Sequence, residues 1–89
     1  LDAVEAAVRV METLPFFNAG MGSVLNQDGM VEMDAGIMDG NTLDMGAVAA
    51  VGHIRHPVAL ARRVLESDFA LLAGAGAESF AWEHGFRHV

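Results

Sequence analysis

The side chains able to do chemistry in this 89-residue chain are few, and most of them sit in incomplete patterns. His53 and His56 lie three apart, and His84 and His88 four apart, as metal ligands on one helix face would. His56 directly precedes Pro57, which takes it out of the helical region, and no cysteine or well-spaced carboxylate completes a zinc set. Asp28, Glu32, Asp34, Asp39 and Asp44 do not follow the alternate-position spacing of a twelve-residue calcium loop. Asp28 and Asp39 stand next to glycine as turn formers, and Glu32 and Asp34 share one strand face, toward solvent or a pocket, with solvent the preferred reading. Thr13, Ser23, Thr42, Ser67 and Ser79 include no nucleophile elbow and no patterned base, so this stretch by itself is not expected to catalyse. Gly74-Ala75-Gly76-Ala77-Glu78-Ser79 is half of a dinucleotide-binding fingerprint. Ser79 replaces its third glycine and Glu78 would oppose a phosphate, so a plain strand-to-helix turn is the preferred reading.

Main-chain oxygens are more informative. A helix broken by Pro15 leaves its last carbonyls without intrahelical partners at the negative end of its dipole. Beyond it, the carbonyls of Phe17, Ala19 and Met21 are two residues apart, and in an extended loop they would point the same way. Together these would form an oxygen-only cage for a hard cation. On spacing alone a hydrophobic loop packed by Phe16 and Phe17 is the competing reading.

The elements that must position these groups follow from periodicity. Leu1, Val4, Val8 and Met11 fall at helical spacing over residues 1–13, with Asp2, Glu5, Arg9 and Glu12 assigned to the other faces. A short strand is expected at 23–25, before the turn Asn26-Gln27-Asp28-Gly29. Residues 31–38 alternate, with Val31, Met33, Ala35 and Ile37 on one side. Asp39-Gly40-Asn41 turns the chain into a strand of small residues at 45–51, completing an antiparallel meander. Pro57 opens a helix to about residue 66, a buried strand follows at 69–73, and a last helix at 77–84 is closed by Gly85. The order α-β-β-β-α-β-α predicts one segment, residues 1–89, of mixed α/β (α+β) class with a meander packed against helices.

Composition limits the partners. The net charge is −7, with five arginines and no lysine, which is unsuited to nucleic acid or to an anionic membrane. Apolar residues make up 53% and no run approaches the ~18 needed to span a bilayer. A chain this short and this apolar is expected to be covered by more protein. The absence of cysteine fits a reducing compartment, and a cytoplasmic location is expected.

Two strings carry a family resemblance: Pro15-Phe16-Phe17-Asn18-Ala19-Gly20-Met21-Gly22 and Glu32-Met33-Asp34-Ala35-Gly36-Ile37-Met38-Asp39-Gly40. With Gly46-Ala47-Val48-Ala49-Ala50-Val51, His53, Arg55, Pro57 and the Gly74–Glu78 turn, they resemble the α-subunit of plant-type asparaginases, also called isoaspartyl or β-aspartyl peptidases. The resemblance implies an αββα sandwich and a precursor that cleaves itself before an internal threonine. The new N-terminal threonine would be the nucleophile for asparagine and isoaspartyl bonds. The two subunits would remain together, as a dimer of heterodimers. It further implies a sodium ion held by the main-chain oxygens of Met11, Glu12, Leu14, Phe17, Ala19 and Met21, with Asn18 near the active site. No catalytic residue of the family maps to this segment. The family's early His-Gly-Gly strand is also missing, so less than a full α-subunit is expected. Glycosylasparaginases and taspase-like proteases share parts of the pattern, and a stand-alone acidic ligand-binding module is the rival from another class.

Overall fold

The structure, a computed structural model, describes residues 1–14, 19–20 and 31–87. Helix α1 (Asp2–Thr13) is followed by strands β1 (Met33–Met38) and β2 (Met45–Val51), helix α2 (Pro57–Leu65), strand β3 (Leu71–Ala73) and helix α3 (Gly74–Glu83). This is the α+β class expected. The strand anticipated at 23–25 and the Asn26–Gly29 turn lie outside the described residues.

β1 and β2 form the antiparallel pair read from the sequence, with Ile37 opposite Gly46 and Met38 opposite Met45. Their turn is built by Asp39, whose carboxylate accepts from the Asn41 N–H at 2.9 Å while its own N–H reaches the Asp44 carbonyl at 2.8 Å. β3 adds to the other side of β2 in parallel, Ala47 beside Leu71 and Ala49 beside Ala73, so the described sheet is mixed. The strand expected to be buried at 69–73 is shorter and lies at an edge, with Leu71 61% exposed; only Leu72 turns toward the core. An edge strand in parallel register places alternate residues on the uncovered face, which its apolar run does not reveal.

The core lies between the sheet and α2, with α3 closing one end. Met33, Ile37, Val48 and Val51 meet Leu60, Ala61 and Val64 of α2 and Ala77, Phe80 and Ala81 of α3. Val48 and Val51 are three apart, a spacing that in a regular strand would put them on opposite faces. A bulge reconciles them: two steps along β1 from Met33 to Ala35 match three along β2 from Val51 to Val48. Ala50 takes a left-handed conformation (φ 54°) there, and the Asp34 carboxylate accepts its N–H at 2.8 Å. Asp34 is exposed, as a solvated strand face implies, and its carboxylate also anchors the bulge.

Gly46 explains the small residues of β2. α2 crosses so closely that a Cβ on Gly46 would stand 2.7 Å from the Cα of Leu65. Gly46→Ala is therefore expected to destabilise by about 3 kcal/mol as helix and sheet are forced apart. Urea denaturation of the complete protein would check this, and a change below about 1 kcal/mol would show the interface to be plastic.

Candidate functional site

The oxygen-rich end of α1 is the point where the candidate site begins. The last helical bond there is Leu14 N–H to the Val10 carbonyl at 3.1 Å. Leu14 then leaves the helix in an extended conformation (φ −87°, ψ 129°), as the following proline requires. Met11 would next accept a bond from residue 15, but Pro15 has no N–H to give. The chain is described again at Ala19–Gly20, where Gly20 (φ 51°) lies against the main chain of Glu12. A Cβ on Gly20 would come within 2.6 Å of the Glu12 Cβ, so both its backbone angle and its neighbour require glycine. Of the residues assigned to the cation cage, Met11, Glu12, Leu14 and Ala19 are thus described at the end of one helix and the return of the chain beside it. Phe17, Met21 and the near-site residue Asn18 lie outside the described residues.

The sequence reading placed Glu12 on an outer, polar face of α1; the structure corrects this. Glu12 is 3% exposed and is the one buried charged side chain among the described residues. Leu1, Glu5, Val8 and Glu12 turn toward the body of the protein, whereas Val4 and Met11 from the expected apolar stripe are exposed. Carboxylates are what hold α1 to α2. Asp2 and Glu5 both bond to the Arg62 guanidinium, Glu5 at 2.9 Å, and Arg62 holds the Asp2 carboxyl below its ordinary range. Glu12 reaches the start of α2: its Oε2 accepts the Val58 N–H at 3.0 Å, and its Oε1 lies 3.2 Å from Nδ1 of His56.

That contact completes a helix that lacks its own cap. α2 starts at Pro57 after His56, which makes no capping bond of its own, and the next free donor is the Val58 N–H. A carboxylate from α1 takes it, where the dipole of α2 favours negative charge. Sequence reasoning missed this role because the cap comes from 46 residues away. The one available signal was a helix start at His56-Pro57 without Ser, Thr, Asp or Asn before it. A cavity of about 360 Å³ opens beside the junction, lined by Glu12, Ala19, Gly20, Asp34, Gly36 and Pro57 among others.

The remaining candidates are dispersed. His56 is the non-helical cap residue and belongs to Glu12. His53 (φ 59°) lies in the β2–α2 turn. His84 stacks on Phe80 with centroids 4.0 Å apart and its Nδ1 is 2.8 Å from the Phe80 carbonyl; His88 lies outside the described residues. Among the described residues no three His, Asp or Glu side chains are grouped to hold a metal ion. Glu78, in the glycine turn weighed as a phosphate loop, accepts the Gly52 N–H at 3.0 Å and ties α3 to the end of β2.

Residues 1–89 match the asparaginase family over their whole length, and the chain belongs to that family of N-terminal-nucleophile hydrolases. It is 54% identical over 90 residues to the isoaspartyl peptidase of Salmonella typhimurium, covering 100% of this chain and 29% of that protein. It is 58% identical over 87 residues to the plant-type L-asparaginase of Pyrococcus furiosus (97% of this chain, 28% of that one). Against the isoaspartyl peptidase/L-asparaginase of Rattus norvegicus the figure is 57% over 86 residues, covering 96% and 26% respectively. The chain spans less than a third of the length of these relatives.

Burial pushes the Glu12 carboxyl above its ordinary 4.5, against the lowering effects of the Val58 N–H and His56. A carboxyl raised in the folded state stabilises the fold while protonated, fully so below the unfolded value, and that contribution is lost as pH rises through the folded value. Glu12→Gln keeps an acceptor for Val58 and should remove this part of the pH dependence. Glu12→Ala leaves a buried N–H unpaired and should cost about 1–3 kcal/mol. Denaturation curves between about pH 4 and pH 8 would check both. Equal loss in the two variants would show that charge, not the cap, matters.

Proposed function

We propose that this chain is part of a self-cleaving threonine amidohydrolase that hydrolyses isoaspartyl peptides and L-asparagine to release L-aspartate. The observation that carries the reading is the family match across all 89 residues, together with the activities named for relatives 54% and 58% identical. In this reading the nucleophile belongs to another part of the protein. Its threonine hydroxyl would attack the side-chain carbonyl, with the threonine's own amine taking the proton. Ammonia or the amino group of the peptide would leave, and water would then hydrolyse the ester and restore the threonine. The residues described here would supply scaffold. Asn18 would approach the nucleophile, and catalytic residues would lie elsewhere.

The same reading places a structural sodium ion on the carbonyls of Met11, Glu12, Leu14, Phe17, Ala19 and Met21. What supports it is the donor set: neutral oxygens at the negative end of α1, a last turn without any basic residue, and the Gly20 return against Glu12. The partner would be a β-subunit carrying the threonine, in a dimer of heterodimers. The sheet face left uncovered by the described residues supports a large apolar contact, because Met38, Met45 and Leu71 are 47–61% exposed on the side away from α2. Packing a second sheet there would give the αββα sandwich. No helix among the described residues is long and apolar enough to cross a membrane, and a cytoplasmic location is part of the proposal.

The first test is the intact mass, under denaturing conditions, of the protein expressed from the complete gene. Two fragments, the second beginning with threonine, are expected; one chain that stays uncleaved would remove the nucleophile and the reading with it. A second test replaces sodium by tetramethylammonium at constant ionic strength. The melting temperature should fall, because a cation bound only by the folded state stabilises it by mass action. An unchanged melting temperature would refute the sodium assignment.

A further inference from the structure

The arginines of this acidic chain are not spread evenly. Arg62 and Arg63 face carboxylates, Arg62 those of Asp2 and Glu5 and Arg63 that of Glu66 at 3.9 Å. The other three, Arg9, Arg55 and Arg87, line one cleft with His56, Ala59 and Phe86. They come from three separate elements: α1, the turn between β2 and α2, and the segment that follows α3. Arg55 and Arg87 are exposed and enter no ion pair among the described residues. Arg9 has only a long contact to Glu5 at 3.7 Å, with half of its side chain exposed.

No acidic residue lines this cleft among the described residues, in a chain with twelve acidic residues against five basic ones. Two carboxylates reach cleft residues from outside it and both are engaged: Glu5, 3.7 Å from Arg9, bonds Arg62 at 2.9 Å, and the Glu12 oxygens are used by His56 and Val58. The α2 N–H groups at this end are used as well: Val58 by Glu12, and Ala59 and Leu60 by the His56 carbonyl at 3.0 and 3.4 Å. The positive potential of the cleft therefore comes from the guanidinium groups, not from the helix end. Arg55 and Arg87 have no counter-charge among the described residues and Arg9 only a long contact to Glu5, and an oxyanion could accept from two or more of these guanidinium forks.

We propose that this cleft is an anion-binding site for a small, multiply charged oxyanion of the carboxylate or phosphate class. At about 440 Å³ it has the size of a small-molecule site, and Phe86 and Ala59 provide an apolar wall beside the charges. The site is separate from the Glu12–Gly20 junction and does not depend on the amidohydrolase reading.

Titration calorimetry on the complete protein, with inorganic phosphate and with citrate at matched ionic strength, tests it. Saturable binding of at least one of the two is expected, and which one binds separates phosphate from carboxylate recognition. The double variant Arg55→Gln/Arg87→Gln should weaken that binding by at least about tenfold, equivalent to about 1.4 kcal/mol. Its melting temperature should match that of the parent, since both residues are exposed and enter no ion pair among the described residues. Arg63→Gln, also exposed but outside the cleft, should leave binding unchanged. Absence of saturable binding by either anion would overturn the proposal, including the case in which another part of the protein fills the cleft. So would binding that survives the double substitution, or that is weakened as much by Arg63→Gln.

Discussion

The position of every other element near the candidate site depends on a buried carboxylate placed at the start of a helix it does not belong to. Glu12 ends α1, and its side chain opens α2 by accepting the Val58 N–H. Taking a carboxylate out of water is expensive unless donors replace the lost solvent. Here a main-chain N–H, an imidazole and the positive end of α2 replace part of it, and burial still holds the carboxyl above its ordinary range. The bond fixes the axial position of α1 against α2, while Asp2 and Glu5 on Arg62 fix the other end of the same interface. α2 in turn is held at the distance that Gly46 allows, so sheet, α2 and α1 form one chain of constraints. Gly20 completes it: the returning segment reaches the backbone of Glu12 because nothing larger than hydrogen stands between them.

The two faces of the sheet are of different kinds. The face toward α2 is filled by branched aliphatic side chains, and the bulge at Ala50 lets Val48 and Val51 both join it. The opposite face presents Gly36, Ala47 and Ala49 between Met38, Met45 and Leu71. Small residues flanked by flexible methionines form a flat, adaptable surface that gains by being covered. The outer side of α1, with Val4, Val10, Met11 and Leu14 exposed, has the same character. Among the described residues the sheet core thus lies between two faces that expose apolar side chains.

Much of the fold was legible in the sequence, because the signals were local. The β1 alternation, the Asp39 turn, Pro57 at a helix start and Pro15 at a helix end each follow from residues within a few positions of one another. What was not legible was set by distant partners. The rotation of α1 could not be read, because its buried face holds two carboxylates, and a hydrophobic pattern assigns those to solvent. Asp34 as the anchor of a bulge and Glu78 as the acceptor for Gly52 are contacts across 16 and 26 residues. The edge position of β3 depends on a parallel pairing that its three apolar residues do not encode. For the candidate site, the resemblance assigned the residues at the end of α1, but it treated Glu12 only as a carbonyl. The side chain is what joins that end to the rest of the protein.

The electrostatics of that junction explain why a cation belongs to the proposed reading. The C-terminal end of a helix carries partial negative charge, and natural helices commonly place Lys, Arg or His there. The last turn of α1 has no basic residue, and it adds the carboxylate of Glu12 and a Met11 carbonyl whose next helical donor position is a proline without an N–H. The N-terminus of α2 offsets the side-chain charge of Glu12 but makes no bond to the carbonyls of α1 among those described. In the proposed reading a small hard ion would meet the residual need better than a side chain. It would be coordinated by several carbonyls at once, would need no rotamer space beside Gly20, and would leave the Glu12 carboxylate to Val58. On that reading the carboxylate and the main-chain carbonyl of Glu12 would serve two helix ends of opposite polarity, the first at the start of α2 and the second at the end of α1.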